Sequence, residues 1–143
     1  MFESARIDDT LVVCHAAGTI PSAVWSRFMA EVRKKPITRY IGVTMGFPDA
    51  TSVQRKELFS YLTDNHVTVV VITDERIVQG VVTAARWVGV NAYAYSSRDT
   101  QAALERAGFT GPEKIAHVTG VINVLRRSMQ RSASSSNVVG RAG

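Results

Sequence analysis

Four side chains suited to a regulatory site lie close together in the stretch "PDATSVQR", residues 48–55: Asp49, Thr51, Ser52 and Arg55. A hydroxyl group at the start of a helix accepts hydrogen bonds from backbone amides that have no partner within the helix. A phosphate on the same hydroxyl would meet those amides and the positive end of the helix dipole. The pattern therefore predicts a helix cap at Thr51 or Ser52 and is compatible with phosphorylation there.

Other side chains offer weaker candidates for acid–base or metal chemistry. The acidic ones near predicted strand or helix ends are Asp49, Asp64, Asp74 and Glu75. Asp74 and Glu75 stand at the start of a predicted helix, where negative charge offsets the helix dipole without any catalytic role. The three histidines lack metal-site spacing, and no glycine-rich nucleotide loop or "GxSxG" elbow is present. We therefore expect no catalytic residue, no metal and no cofactor.

Composition indicates a globular chain of one domain. The protein has 143 residues, of which 45% are hydrophobic and 20% are charged, and a chain of this length can bury a substantial core. No secretory signal or spanning segment is evident, so we expect a cytoplasmic protein without membrane insertion. The charge of +5 lies largely near the carboxyl end and around Pro36, with no nucleic-acid-binding motif, so we expect no nucleic-acid partner.

Strand-like and helix-like segments alternate along the chain, which is typical of an α/β fold. The expected sheet has four to five mainly parallel strands. "VTVVVITD" should be central because a β-branched run favours burial on both faces, and "VNAYAYS" should lie nearer an edge. The other predicted strands are "TLVVCHAAG" and "RYIGVTMG".

Helices are expected between these strands and after the last one. The helix "TSVQRKELFSYLTDN" is predicted to bury Val53, Leu58, Tyr61 and Leu62. An extra helix at the carboxyl end has an apolar stripe that predicts packing on its own domain or, as an alternative, a homodimer. Residues 1–130 are thus expected to form one domain, and the small polar residues of 131–143 a disordered tail.

From Asp9 to about Phe109 the order of these segments resembles the STAS domain, the fold of bacterial anti-sigma factor antagonists and of the cytoplasmic tails of sulfate transporters. The strand running into "FPDATS" is similar to the family's Asp-Ser-Ser-Gly or Asp-Ser-Thr-Gly loop. That resemblance implies that Asp49 matches the family's aspartate and Thr51 its phosphoacceptor. Ala50 and Ser52 depart from the family pattern, replacing its first serine and its glycine.

Two functions follow as expectations. The resemblance implies a non-enzymatic, protein-binding module in a signalling or partner-switching assembly, using the region from Asp49 to Arg55 and binding a kinase or regulatory protein. The alternative is a small-ligand or lipid-binding domain of the same fold, with a cavity between the sheet and the helices that begin near Thr51 and Glu75. A partner module should have a filled core, whereas a ligand domain should have a sizeable apolar pocket.

Overall fold

The computed structural model describes the backbone of residues 2–142 and the side chains of residues 2–132. Within that part of the chain, five strands form one sheet in the order β1-β2-β3-β4-β5. Strand β1 is antiparallel to β2, and all other neighbouring strands are parallel. The strands are β1 (Phe2–Ile7), β2 (Thr10–Thr19), β3 (Arg39–Asp49), β4 (Thr68–Ile72) and β5 (Asn91–Tyr95).

The predicted α/β class and mainly parallel sheet are confirmed, with two corrections to the strands. Strand β1, which pairs with β2 along its whole length, was not among the predicted strands. The strand in "VTVVVITD", β4, lies inside the sheet as predicted, but the central position belongs to β3. Strand β5 lies at the edge, as its alternating pattern indicated.

The direction of the chain decides which helices share a face of the sheet. Strands β2 to β5 follow one another in a single direction across the sheet, and crossovers between parallel strands are right-handed. The three crossover helices must therefore lie on one face, called here the front face. They are α1 (Ser22–Arg33), α2 (Ser52–Asp64) and α3 (Arg76–Trp87).

The opposite surface, called here the back face, is covered by the last two helices. After β5 and a 3-10 turn at Ser97–Asp99, α4 (Thr100–Arg106) packs against β4 and β5, and α5 (Pro112–Ala142) begins after a short turn. Helix α5 contacts β1 and β2. The architecture is a sheet between two layers of helices, so both faces of the parallel strands are covered by protein.

Side chains alternate between the two faces along each strand, as the two-residue period of a strand requires. On β4, Val69 and Val71 face the front and Val70 and Ile72 face the back. Each face has its own hydrophobic cluster. The back cluster includes the fully buried Leu104 of α4.

Helix α5 packs on its own domain through the predicted apolar stripe. Val118, Ile122, Leu125 and Met129 are buried in the back cluster, which confirms intramolecular packing of this part of the helix. The predicted tail, 131–143, overlaps the end of α5. Because side chains after residue 132 and all of residue 143 lie outside the described residues, the disorder assigned to this tail stays a prediction.

Candidate ligand-binding pocket

A cavity of about 600 Å³ lies on the front face, between α2, α3 and the sheet. Its floor comes from β2, β3, β4 and β5, and its walls come from α2, α3, Trp25 of α1 and the segment before α2. Most lining side chains are aliphatic or aromatic. The size and the apolar lining are those of a small-molecule site.

The pocket exists because the hydrogen bonds of α2 hold this helix near α1 and not near α3. Trp25 Nε1 of α1 donates to Glu57 Oε1 of α2 at 2.5 Å, and Gln54 Nε2 donates to the backbone oxygen of Ile20 at 3.0 Å. Arg33 of α1 also pairs with Glu57 at 3.3 Å. Among the residues whose side chains are described, the hydrogen bonds from α2 to another helix all run to α1. These bonds hold α2 to one side and leave a gap toward α3.

Helix α3 presents a second apolar stripe to that gap. Its residues Val78, Val82 and Ala85 are buried against the sheet. These three residues also line the cavity, and a neighbouring row at helical spacing lines it beside them, namely Ile77, Val81, Ala84 and Val88. Ile77 is 62% exposed and Val88 is 71% exposed. The apolar surface of α3 is therefore wider than its contact with the sheet, and the extra width borders the cavity.

The floor of the pocket contains one polar pair. His15 Nε2 of β2 and Tyr40 Oη of β3 are 2.9 Å apart, and both residues line the cavity. Gly42 lies beside them, where an added Cβ would come within 3.2 Å of Tyr40 Cε1 and 3.6 Å of His15 Nε2. Because glycine has no side chain, it leaves room for the His15–Tyr40 pair and adds no atoms that would fill the cavity.

Both members of this pair are neutral near pH 7. Desolvation lowers the pKa of His15 to about 3, and desolvation also raises the pKa of the Tyr40 phenol well above its usual range. The protonated phenol can donate its hydrogen to the unprotonated Nε2. A histidine with so low a pKa is a weak base at neutral pH, so the pair is better suited to orienting a polar group than to moving a proton.

Polar groups also occur at the carboxyl ends of the strands and on α2. Thr44 Oγ1 donates to Thr73 Oγ1 at 2.6 Å, and the latter oxygen accepts from the backbone amide of Glu75 at 3.1 Å. Arg55 is partly buried and lines the cavity. Its guanidinium donates to the backbone oxygen of Ala50 at 2.6 Å, which fixes it beside the loop that forms one wall.

The four side chains of the predicted regulatory site lie together at the start of α2. Thr51 is the N-cap and shares a capping box with Gln54: Thr51 Oγ1 accepts from Gln54 N at 3.1 Å, and Gln54 Oε1 accepts from Thr51 N at 2.9 Å. Thr51 and Ser52 are both exposed, so their predicted position is confirmed. Asp49 ends β3 and is exposed, and Arg55 alone of the four lines the cavity.

Val53 was predicted to be buried by α2, and this is wrong. It is 77% exposed, whereas the next residue, Gln54, is buried and donates to the backbone oxygen of Ile20. Gln54 lies four residues before Leu58 and eight before Leu62, so the face of α2 that packs on the domain begins with Gln54 and leaves Val53 toward solvent.

The weaker acid–base candidates have structural contacts or exposed positions of their own. Asp74 accepts hydrogen bonds from Ser97 Oγ at 2.6 Å and Ser97 N at 2.9 Å, and these bonds lower its pKa. Asp74 therefore ties the end of β4 to the turn after β5. Asp64 ends α2 and is exposed, and Glu75 is the N-cap of α3 without a side-chain cap bond. In residues 2–132 no group of three His, Cys, Asp or Glu side chains could hold a metal ion.

The residues of the pocket floor were not predicted from the sequence. His15 was considered only as one of three histidines without metal-site spacing, and Tyr40 and Gly42 were given no role. One signal was available, because a glycine inside a buried strand often marks close approach of a ligand or of another chain segment. A second signal was the wide apolar surface of α3 from Ile77 to Val88, which exceeds the stripe that one sheet contact needs.

No family model and no curated protein matches the sequence. The function proposed for the chain therefore rests on the geometry of the pocket. Within residues 2–142, no helix combines the length and the apolar character needed to cross a bilayer.

Proposed function

We propose that the protein binds a small, largely apolar molecule in the front-face pocket and does so without catalysis. The observation that carries this proposal is the cavity of about 600 Å³ between α2 and α3. It occupies the place where the ligand-binding alternative expects it, between the sheet and the helices that begin near Thr51 and Glu75. A STAS-like identity is part of the same proposal, supported by the order of strands and helices and not by any family match.

The pocket favours ligand binding over a partner module with a filled core. Burying apolar surface is the main source of affinity for an apolar ligand, and the lining offers aliphatic and aromatic surface with few polar groups. The neutral His15–Tyr40 pair supplies a hydrogen-bonding point on the floor. Ile77 and Val88 line the cavity and are exposed to solvent, so a ligand can enter the cavity beside them.

Titration with Nile red, a neutral dye that fluoresces in apolar surroundings, tests the proposal. Wild-type protein should give a saturable rise in fluorescence. Val71→Phe should weaken binding at least about tenfold, which corresponds to about 1.4 kcal/mol, because Val71 lines the cavity from the floor and a phenyl ring there would fill it.

Val124→Phe is the matched control, because Val124 is 53% exposed on α5 and lies outside the pocket. It should bind Nile red as the wild type does, and all three proteins should melt cooperatively. Saturable binding that is equal in Val71→Phe and wild type would place the dye elsewhere and refute the proposal.

A second candidate function is protein binding through the start of α2. It is supported by the exposure of Thr51, Ser52 and Val53, which makes this end of the helix accessible to a partner. If Thr51 phosphorylation regulates such binding, Thr51→Glu should abolish capture of the partner from cell extract while Thr51→Ser preserves it. Unchanged capture by a folded Thr51→Glu protein would remove the regulatory role.

A further inference from the structure

The charge of the pocket lining indicates the chemical class of its ligand. Among the described residues that line the cavity, Arg55 is the one side chain that carries a charge at neutral pH. Within residues 2–132 no carboxylate oxygen lies within 4.0 Å of its guanidinium, and the ion pairs in that part of the chain involve Arg6, Arg33, Arg39 and Lys114. The pocket thus has a positive charge without a negative partner.

Arg55 is also held in place before any ligand arrives. One guanidinium nitrogen donates to the backbone oxygen of Ala50, and Ala50 itself lines the cavity. An arginine anchored through one nitrogen keeps other N–H groups available, and these suit the two oxygens of a carboxylate or phosphate. The anchored geometry reduces the side-chain ordering that binding would otherwise require.

We infer that the pocket takes an amphiphile with an apolar body and one anionic group, which the Arg55 guanidinium binds. This inference rests on the proposed function and adds the ligand's charge to it. The apolar body lies against the aliphatic walls of α2 and α3, and the anionic group remains beside Ala50 and the end of β3, where Phe47 and Pro48 line the cavity. A carboxylic acid and a phosphate monoester share this chemistry.

The test compares two probes of equal chain length, dodecanoate and 1-dodecanol, each kept below its solubility limit. Trp25 lines the cavity, whereas Trp87 is 83% exposed and lies outside it. The Trp87→Phe protein therefore reports binding through Trp25 emission alone. Dodecanoate should bind at least about tenfold more tightly than 1-dodecanol, which is the factor expected of a hydrogen bond to a charged group in a partly buried site.

Arg55→Gln in the same background should lose that preference and bind both probes with the affinity of the alcohol. Lys56→Gln is the matched control, because Lys56 is the next residue of α2, is exposed and does not line the cavity. It should keep the preference for the acid. Unchanged 1-dodecanol binding by Arg55→Gln will show that the pocket itself is intact.

The possible failures are distinguishable. Equal affinity of the wild-type pocket for acid and alcohol would overturn the inference and leave the proposed function standing. A preference that survives in Arg55→Gln would also overturn it, because another group would then bind the anion. If neither probe binds saturably, the proposed function fails together with the inference. Replacing dodecanoate with dodecyl phosphate then separates a carboxylate site from a phosphate site by their relative affinities.

Discussion

The front and back faces of the sheet are built from alternate residues of the same strands, yet they are packed differently. On the back, Val70 belongs to the same cluster as Leu104 of α4 and Val118 of α5, and neither of these two side chains has exposed surface. On the front, the neighbouring Val71 borders the cavity. The faces differ in how their helices are held, because α2 is hydrogen-bonded to α1 and the cavity lies between α2 and α3.

The difference shows that apolar surface serves two purposes in one small domain. The back face buries it in close-packed contact, which is the usual source of stability. The front face retains apolar surface that no other part of the described chain covers. Apolar surface that stays uncovered does not contribute its burial energy to folding. A bound molecule that covers this surface should therefore stabilise the folded state.

Truncating one leucine on each face should give the largest contrast. Leu104→Ala on α4 should lower the free energy of unfolding by about 2 to 5 kcal/mol, because it leaves a new void in a packed cluster. Leu58→Ala on α2 should cost less than about 2 kcal/mol, because Leu58 is only partly buried and borders existing space. Urea unfolding of both variants measures the difference; equal losses would mean that the front face is also close-packed.

Enlarging one valine on each face tests the same difference in packing, because it adds volume where the leucine truncations remove it. Val70→Ile adds a methylene to the back cluster and should cost about 1 to 3 kcal/mol through overpacking. Val71→Ile points the same addition into the pocket and should change stability by less than about 0.5 kcal/mol. Both keep a β-branched residue in the same strand, so each is the control for the other in thermal unfolding. A larger cost for Val71→Ile would contradict the assignment of empty space to the front.

A pH titration should reveal the partly buried imidazole of His15 on the front face. The pKa of His15 falls from its ordinary value of 6.5 to about 3 on folding, so below pH 6.5 the unfolded chain binds more protons than the folded one. The stability from neutral His15 is present above pH 6.5 and is lost as the pH falls toward 3. Between pH 6.5 and 5 the free energy of unfolding should drop by about 1.5 kcal/mol.

Denaturant unfolding across that range is the measurement, and His15→Gln is the comparison because a neutral amide cannot titrate. The slope between pH 6.5 and 5 should be clearly smaller in the variant than in the wild type. An unchanged slope would assign the pH dependence to other groups and would place His15 in a more hydrated site.

The smallest effect concerns the cap that begins α2. Thr51→Ala removes the acceptor for the backbone amide of Gln54 and should lower the free energy of unfolding by about 1 kcal/mol. Thr51→Ser should leave it nearly unchanged. Ser52→Ala is the control, because Ser52 follows the cap and its side chain makes no cap bond. Thermal melts of the three variants check the order. Equal losses for Thr51→Ala and Ser52→Ala would show that the capping box contributes nothing specific.

Local sequence features predicted much of the fold. The β-branched run of β4, the hydroxyl start of α2 and the apolar stripe of α5 each carry their information within a few residues. Strand β1 lacked such a signal, because Glu3, Ser4 and Arg6 interrupt its apolar residues and its pairing with β2 defines it.

The pocket depends on contacts that are distant in sequence. Trp25 and Glu57 are 32 residues apart, and their hydrogen bond helps to hold α2 toward α1. No local pattern states that two helices will stand apart, so the cavity was only an alternative at the level of sequence. Arg55 was singled out for its place near Asp49 and Thr51, and its position in the cavity wall emerged from the structure.

Methyl NMR during a dodecanoate titration tests the central claim most directly, because it observes both faces in one sample. Protein with labelled valine and leucine methyl groups should show saturable chemical-shift changes at Val71, Val82 and Leu58 on the front. The methyl signals of Val70, Leu104 and Val118 on the back should change little. Shifts of equal size on both faces, or no saturable shift at the front-face methyls, would contradict the account of the front face as a ligand pocket.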